Sequence, residues 1–161
     1  MTCPNLAALA HEVARLGNGP QAELRRLDPR RADTWPAAFW DLYARHIETA
    51  GPTPPDEDQQ RSWAAVLAGM ALLDQAQIHP GIALAAGQYS ELRFNRLLSA
   101  DGPRRLDKFR AAVRFLAAKR QDGIDWTQFA SLLIHPPDSP EGDRTRRHLA
   151  GAYYRTLAQK D

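Results

Sequence analysis

From Pro103 to Gln121 the apolar residues Leu106, Phe109, Ala112, Val113, Leu116 and Ala117 return at intervals that only an α-helix turns into one continuous face. The same period runs through most of the chain. Composition agrees: the 161 residues include 19 Leu and 27 Ala but only 3 Val and 5 Ile, and Ala and Leu favour helices where β-branched residues favour strands. The expected fold is all-α, a two-lobed helical bundle of about eight helices, with an N-terminal helical lobe over 1–87 and a C-terminal helical bundle over 88–161.

Local signals divide the chain. Asn5 is placed to cap a first helix carrying Leu6, Leu9, Ala10, Val13 and Leu16, and Gly17-Asn18-Gly19 is expected to end it. Pro20 should open a short second helix that Pro29 breaks, and a third is expected from Thr34 to Thr49. After the loop GPTPP, Asp56 or Asp58 caps a fourth helix through Trp63, Val66, Leu67, Met70 and Leu73, apolar round most of its circumference and therefore the central core helix. The segment HPGIALAAGQY fits either a connector or a short helix. Ser90 caps a helix to Ser99, and Asp101-Gly102-Pro103 turns the chain into the long helix that ends near Gln121. Asp125 with Gln128 resembles a capping box for the next helix, which His135-Pro136-Pro137 stops. Ser139 and Pro140 start the last, to about Leu157.

The formal charge of +2 hides a division. Residues 1–88 hold 7 Lys/Arg against 10 Asp/Glu, whereas residues 89–161 hold 14 against 9. Such an excess points to a polyanionic partner. On the 103–121 helix Arg110 and Arg114 stack along one flank of the apolar stripe, while Arg104, Lys108 and Lys119 line the far face around Phe115, an aromatic expected to stand exposed among charges. Arg96 belongs to the same basic stretch. On the last helix Leu149, Ala152, Tyr153 and Leu157 point one way, and Arg144, Arg147, Gly151 and Arg155 the other. A helical glycine costs about 1 kcal/mol relative to alanine, so Gly151 in a basic row marks a close approach to the backbone. Arginines spaced along rigid helices suit a phosphate backbone, and no recognition helix or aromatic stacking strand is present to read sequence.

Catalysis finds little support. His11, His46, His79, His135 and His148 are scattered without metal-ligand spacing, no GxSxG occurs, and Asp56, Glu57 and Asp58 are accounted for by a helix start. The loose GxGxxA string at Gly17–Ala22 follows a helix rather than a strand, which fails the dinucleotide reading. Cys3, the only cysteine, permits neither an intrachain disulfide nor a cysteine zinc cluster. No catalytic residue, metal or cofactor is expected. The N-terminus lacks a signal-peptide pattern, and the most apolar run, Ala64 to Leu73, is short of the roughly 20 residues a membrane span needs. A cytoplasmic protein without a membrane partner is expected.

Several short pieces occur in an order that carries a resemblance: Gly19-Pro20-Gln21-Ala22-Glu23-Leu24-Arg25-Arg26, Pro36-Ala37-Ala38-Phe39-Trp40, Ser90-Glu91-Leu92-Arg93-Phe94 with Leu97-Leu98, Ile124-Asp125-Trp126, and Tyr153-Tyr154. Together they resemble the CasB family, the small subunit of the type I-E CRISPR surveillance complex Cascade. The resemblance implies a two-lobed helical protein without catalysis of its own. It implies contact with guide RNA and target DNA, stabilisation of the R-loop by holding the displaced non-target strand, other Cascade subunits as partners, and a homodimer within the complex. Arg25, Arg26, Arg93 and Arg110 fall in the matching stretches. Two positions depart from the family pattern: Gln21 where a basic residue is expected, and His135-Pro136-Pro137 in place of an aromatic-rich helix end. The competing expectation is a helical adaptor that binds protein partners through Phe115 and the Trp35, Trp40 and Trp126 set, with arginines that only solubilise it.

Overall fold

The computed structural model describes residues 4–160; Cys3 lies outside them. Nine α-helices appear among the described residues: α1 (Leu6–Ala14), α2 (Asn18–Arg25), α3 (Ala37–Leu42), α4 (Glu57–Leu72), α5 (Pro80–Ala86), α6 (Glu91–Ser99), α7 (Pro103–Ala118), α8 (Trp126–Ile134) and α9 (Pro140–Lys160). The fold is all-α, with one isolated bridge between Gln75 and Ile124 as its only extended pairing among those residues. None of the helices is long and apolar enough to cross a membrane.

α4 is the axis of the core. A reciprocal capping box holds its start, Asp56 Oδ1 accepting the Gln59 N–H at 2.9 Å while Gln59 Oε1 accepts the Asp56 N–H at 2.8 Å. From Trp63 to Ala71 every residue is buried, so the helix needs neighbours all round and has them in α1, α2, α7 and α8. The core therefore crosses residue 87, with α7 and α8 closing over a helix from the first half of the chain. α5 packs along α9, and Lys160 donates to the carbonyls of Ala85 and Ala86, which ties the end of α9 to the end of α5.

The ends of several helices differ from the sequence expectation for local reasons. Gly17-Asn18-Gly19 does not terminate α1: the helix stops at Ala14, Gly17 becomes the N-cap of α2, and Pro20 sits inside its first turn, where a missing N–H costs nothing. Gln21 Nε2 then donates to the Ala14 and Leu16 carbonyls, each at 2.9 Å. The position that departs from the family pattern thus closes the C-terminus of α1. The helix expected over Thr34–Thr49 is broken into a 3₁₀ turn at Ala32–Thr34, an extended Trp35-Pro36, α3, and a π-turn at Tyr43–Ile47. Pro36 forces Trp35 out of the helical region, so the helix begins only at Ala37. HPGIALAAGQY forms helix α5. Asp125 accepts from Thr127 rather than Gln128, so the expected capping box is a single side-chain cap. α7 ends at Ala118 because Arg120 takes a left-handed backbone, φ 57°, and Gln121 N–H closes onto the Leu116 carbonyl.

His79 supplies the cap of α5, its Nδ1 accepting the Gly81 N–H at 3.1 Å, which requires an unprotonated Nδ1. Burial, foremost, holds this imidazole below its ordinary value of 6.5; Asp125 opposes the shift, and His148 and Arg155 add to it. The unfolded chain therefore takes up the proton first. The contribution to stability is complete above pH 6.5 and is lost as pH falls from there through the lowered folded value. Urea midpoints at pH 7.5 and pH 5 should show a decline that His79→Asn, a capping residue that does not titrate, makes shallower. Identical declines in the two proteins would contradict this role.

Candidate nucleic-acid interface

α7 carries basic side chains on both flanks of its buried stripe, and the two flanks meet different neighbours. Phe109, Ala112, Val113 and Leu116 face inward. On the side toward α2 and α4, Arg110 and Arg114 join Arg25 around a shallow depression whose floor is Ala65, Ala68, Gly69, Leu72 and Val113. Small residues in α4 leave room there, so three guanidiniums from two helices rim an apolar floor. Arg25 is anchored through Nε to the Ala71 carbonyl at 2.8 Å and through NH2 to Gln21 Oε1 at 3.3 Å. Arg110 is the most enclosed, with 23% of its side chain exposed and NH1 at 4.0 Å from Asp28 Oδ1. Burial and then the adjacent Arg114 hold its guanidinium below the ordinary arginine value, against the pull of Asp28 and Asp107. Arg114 is exposed and makes no ion pair among the described residues.

Toward α5 and α6 the chemistry is aromatic. Arg93 lies over Tyr89 at 4.9 Å and over Phe115 at 5.6 Å from the ring centroids, and Lys119 Nζ sits 5.5 Å from Phe115. Phe115 is therefore not the solitary exposed aromatic that the wheel predicts. It is half-buried against Tyr89, at 4.8 Å between ring centroids, because the chain entering α6 folds across this face of α7. Both cations are positioned by π-faces instead of carboxylates, which leaves their N–H groups available.

The remaining candidates are dispersed. Arg26, Arg96, Arg104 and Arg144 are exposed and Lys108 is half-buried; none makes an ion pair among the described residues. Arg147 is held by Asp143 at 2.9 Å, one turn before it on α9. The close approach at Gly151 comes from within the chain, since a Cβ there would stand 3.2 Å from NH1 of Arg155. Of the tryptophans, Trp126 and Trp35 are buried and only Trp40, 41% exposed, reaches the surface.

Three arginines outside the predicted set matter to the same region. Arg30 pairs with Asp107 at 2.5 Å, and Arg61 pairs with Asp58 at 2.9 Å. Both belong to the acidic half; nothing in the sequence marks Arg30, whereas Arg61 is legible as the partner of Glu57 and Asp58 one turn before it on α4. Arg105 donates through NH2 to the carbonyls of Leu132, Leu133 and His135 at 2.7, 3.2 and 2.8 Å, holding the C-terminus of α8. The helical wheel does mark it, because at 100° per residue Arg105 falls between Ala112 and Leu116 on the inward side. Burial, with Arg146 nearby, holds its guanidinium below the ordinary value. Among the described residues no group of three or more His, Cys, Asp or Glu side chains could hold a metal ion.

Both a family model and solved structures match the chain. The family model of the CRISPR-associated protein Cse2 matches residues 21–154. A chain in the crystal structure of E. coli Cascade bound to a PAM-containing dsDNA target with a 32-nt spacer shares the fold at a TM-score of 0.70 and 22% identity, over 98% of this chain and 99% of that one. No curated protein matches.

Proposed function

This chain belongs to the CRISPR-associated protein Cse2 family, the CasB group that its ordered motifs resemble, and from that membership we propose that it works as a non-catalytic subunit of a Cascade effector. In this reading it binds the backbones of guide RNA and target DNA, and it stabilises the R-loop by holding the displaced non-target strand. Its partners are the other Cascade subunits and a second copy of itself, in the cytoplasm. The observation that carries the proposal is the convergence of Arg25, Arg110 and Arg114 on one shallow depression between α2, α4 and α7. Their side chains come from separate parts of the sequence, stand on rigid helices and face solvent over an apolar floor, an arrangement that neutralises phosphates and leaves bases unread. Arg93 and Lys119, fixed on aromatic rings, extend the same chemistry to the opposite flank.

Filter binding of single-stranded DNA across a salt series tests the proposal. About six phosphate contacts would give a slope of log affinity against log salt of roughly −4, since each contributes about 0.7 on a single strand. A flat salt response, or no binding at low salt, would sink it. Catalytic turnover of a nucleic-acid substrate by the pure chain would remove the non-catalytic part.

A further inference from the structure

Two depressions follow one another along the seam between α4 and α7. Asp58, Arg61 and Ser62 of α4 meet Pro103, Arg105 and Leu106 of α7 at the first, and the second is the one rimmed by Arg25, Arg110 and Arg114. Steps of three and four residues keep both on one stripe of each helix, so they are neighbours along a single seam. Their centres lie about eight residues apart on α4, roughly 12 Å at 1.5 Å per residue. The first is the larger, a cleft of about 460 Å³, within the range of about 300–1,000 Å³ that small-ligand sites occupy.

Its chemistry differs from that of its neighbour. Arg25 and Arg114 make no ion pair with a carboxylate among the described residues, whereas two of the three arginines at the cleft are paired, Arg30 with Asp107 and Arg61 with Asp58; the third, Arg105, is held by the neutral carbonyls that end α8 and keeps its charge. The paired guanidiniums supply little net charge, all three keep flat faces on which a base can stack, and Arg105 keeps Nε and NH1 outside its hydrogen bonds. Leu106 and Leu133 give the cleft an apolar wall. A nucleobase, apolar on its faces and polar along its edge, matches that combination of apolar wall, flat guanidinium faces and free N–H donors.

We infer that this cleft receives one unstacked base of the strand whose backbone crosses Arg25, Arg110 and Arg114. The inference rests on the nucleic-acid reading given above. It is tested with the full chain and two fluorescent oligomers of equal length, oligothymidylate and the same backbone with abasic sites, titrated by anisotropy at several salt concentrations. The abasic strand should bind about tenfold more weakly with the same salt slope. Ser62→Tyr, which fills the cleft from α4, should bring the two affinities together and leave the slope unchanged. Equal affinities in the unaltered protein overturn the inference while backbone binding stands. A tenfold difference that survives Ser62→Tyr also overturns it, and leaves the cleft to a protein segment. Failure of both strands to bind at low salt overturns the inference and the wider reading together.

Discussion

Alanine at Arg25, Arg110 and Arg114 together lowers affinity for single-stranded DNA about a hundredfold or more at low salt and makes the salt slope shallower by about 2. Three contacts at about 0.7 each give the change in slope, and a loss of about 1 kcal/mol per partly screened contact gives the change in affinity. The three substitutions have unequal structural consequences. Arg114 is exposed without an ion pair, so its loss leaves stability within about 0.5 kcal/mol. Removing Arg110 frees Asp28, but that carboxylate still accepts the Arg30 N–H at 3.0 Å. Arg25 closes the C-terminus of α4 through the Ala71 carbonyl, and its loss costs about 1 kcal/mol. Thermal melts of the triple variant separate that cost from binding. Arg147→Ala is the control, because Asp143 already neutralises that side chain on the surface of α9. A folded triple variant that kept its affinity and slope would remove the depression as the interface.

What the sequence alone conveys of this interface is the part that depends on one helix. Arg110 and Arg114 are four residues apart, so the wheel places them on one flank of α7 without any knowledge of the fold. That Arg25 meets them depends on α2 packing on α4 and α4 on α7, contacts between segments far apart in the chain that no local period encodes. Phe115 shows the same limit from the other side: the wheel leaves it among charges, and only the chain entering α6, with Tyr89, covers it. Helix starts fixed by side-chain caps, at Asp56 and Ser90, are legible because cap and first turn are neighbours in sequence. The broken stretch from Ala32 to Ile47 has one readable break, at Pro36, and one that is not, since the π-turn closing Glu48 onto the Tyr43 carbonyl leaves the apolar spacing nearly intact.

The largest loss of stability is expected at a contact that spans those distant segments. Trp126 is fully buried at the start of α8, packs on Phe109 and Phe129, and donates from Nε1 to the Leu73 carbonyl at 2.9 Å. Leu73 closes α4, so one indole both fills the core and satisfies the end of its central helix. Its edge lies over Gly69, where a Cβ would come within 2.7 Å of Cη2. Trp126→Ala should therefore cost about 3–5 kcal/mol, read from urea midpoints, through lost packing and a carbonyl left without its donor. The sign at Gly69 is the sharper test. A helical Gly→Ala change ordinarily stabilises by up to about 1 kcal/mol, but beside the intact indole Gly69→Ala must push a packed ring aside and should cost about 1–3 kcal/mol. With Trp126→Leu already in place, the obstruction is gone and the same change should become neutral or stabilising. The double-mutant cycle then shows a coupling of about 1 kcal/mol or more. Additive effects would mean that the indole does not rest on Gly69 in solution, and that α4 and α8 meet in some other register.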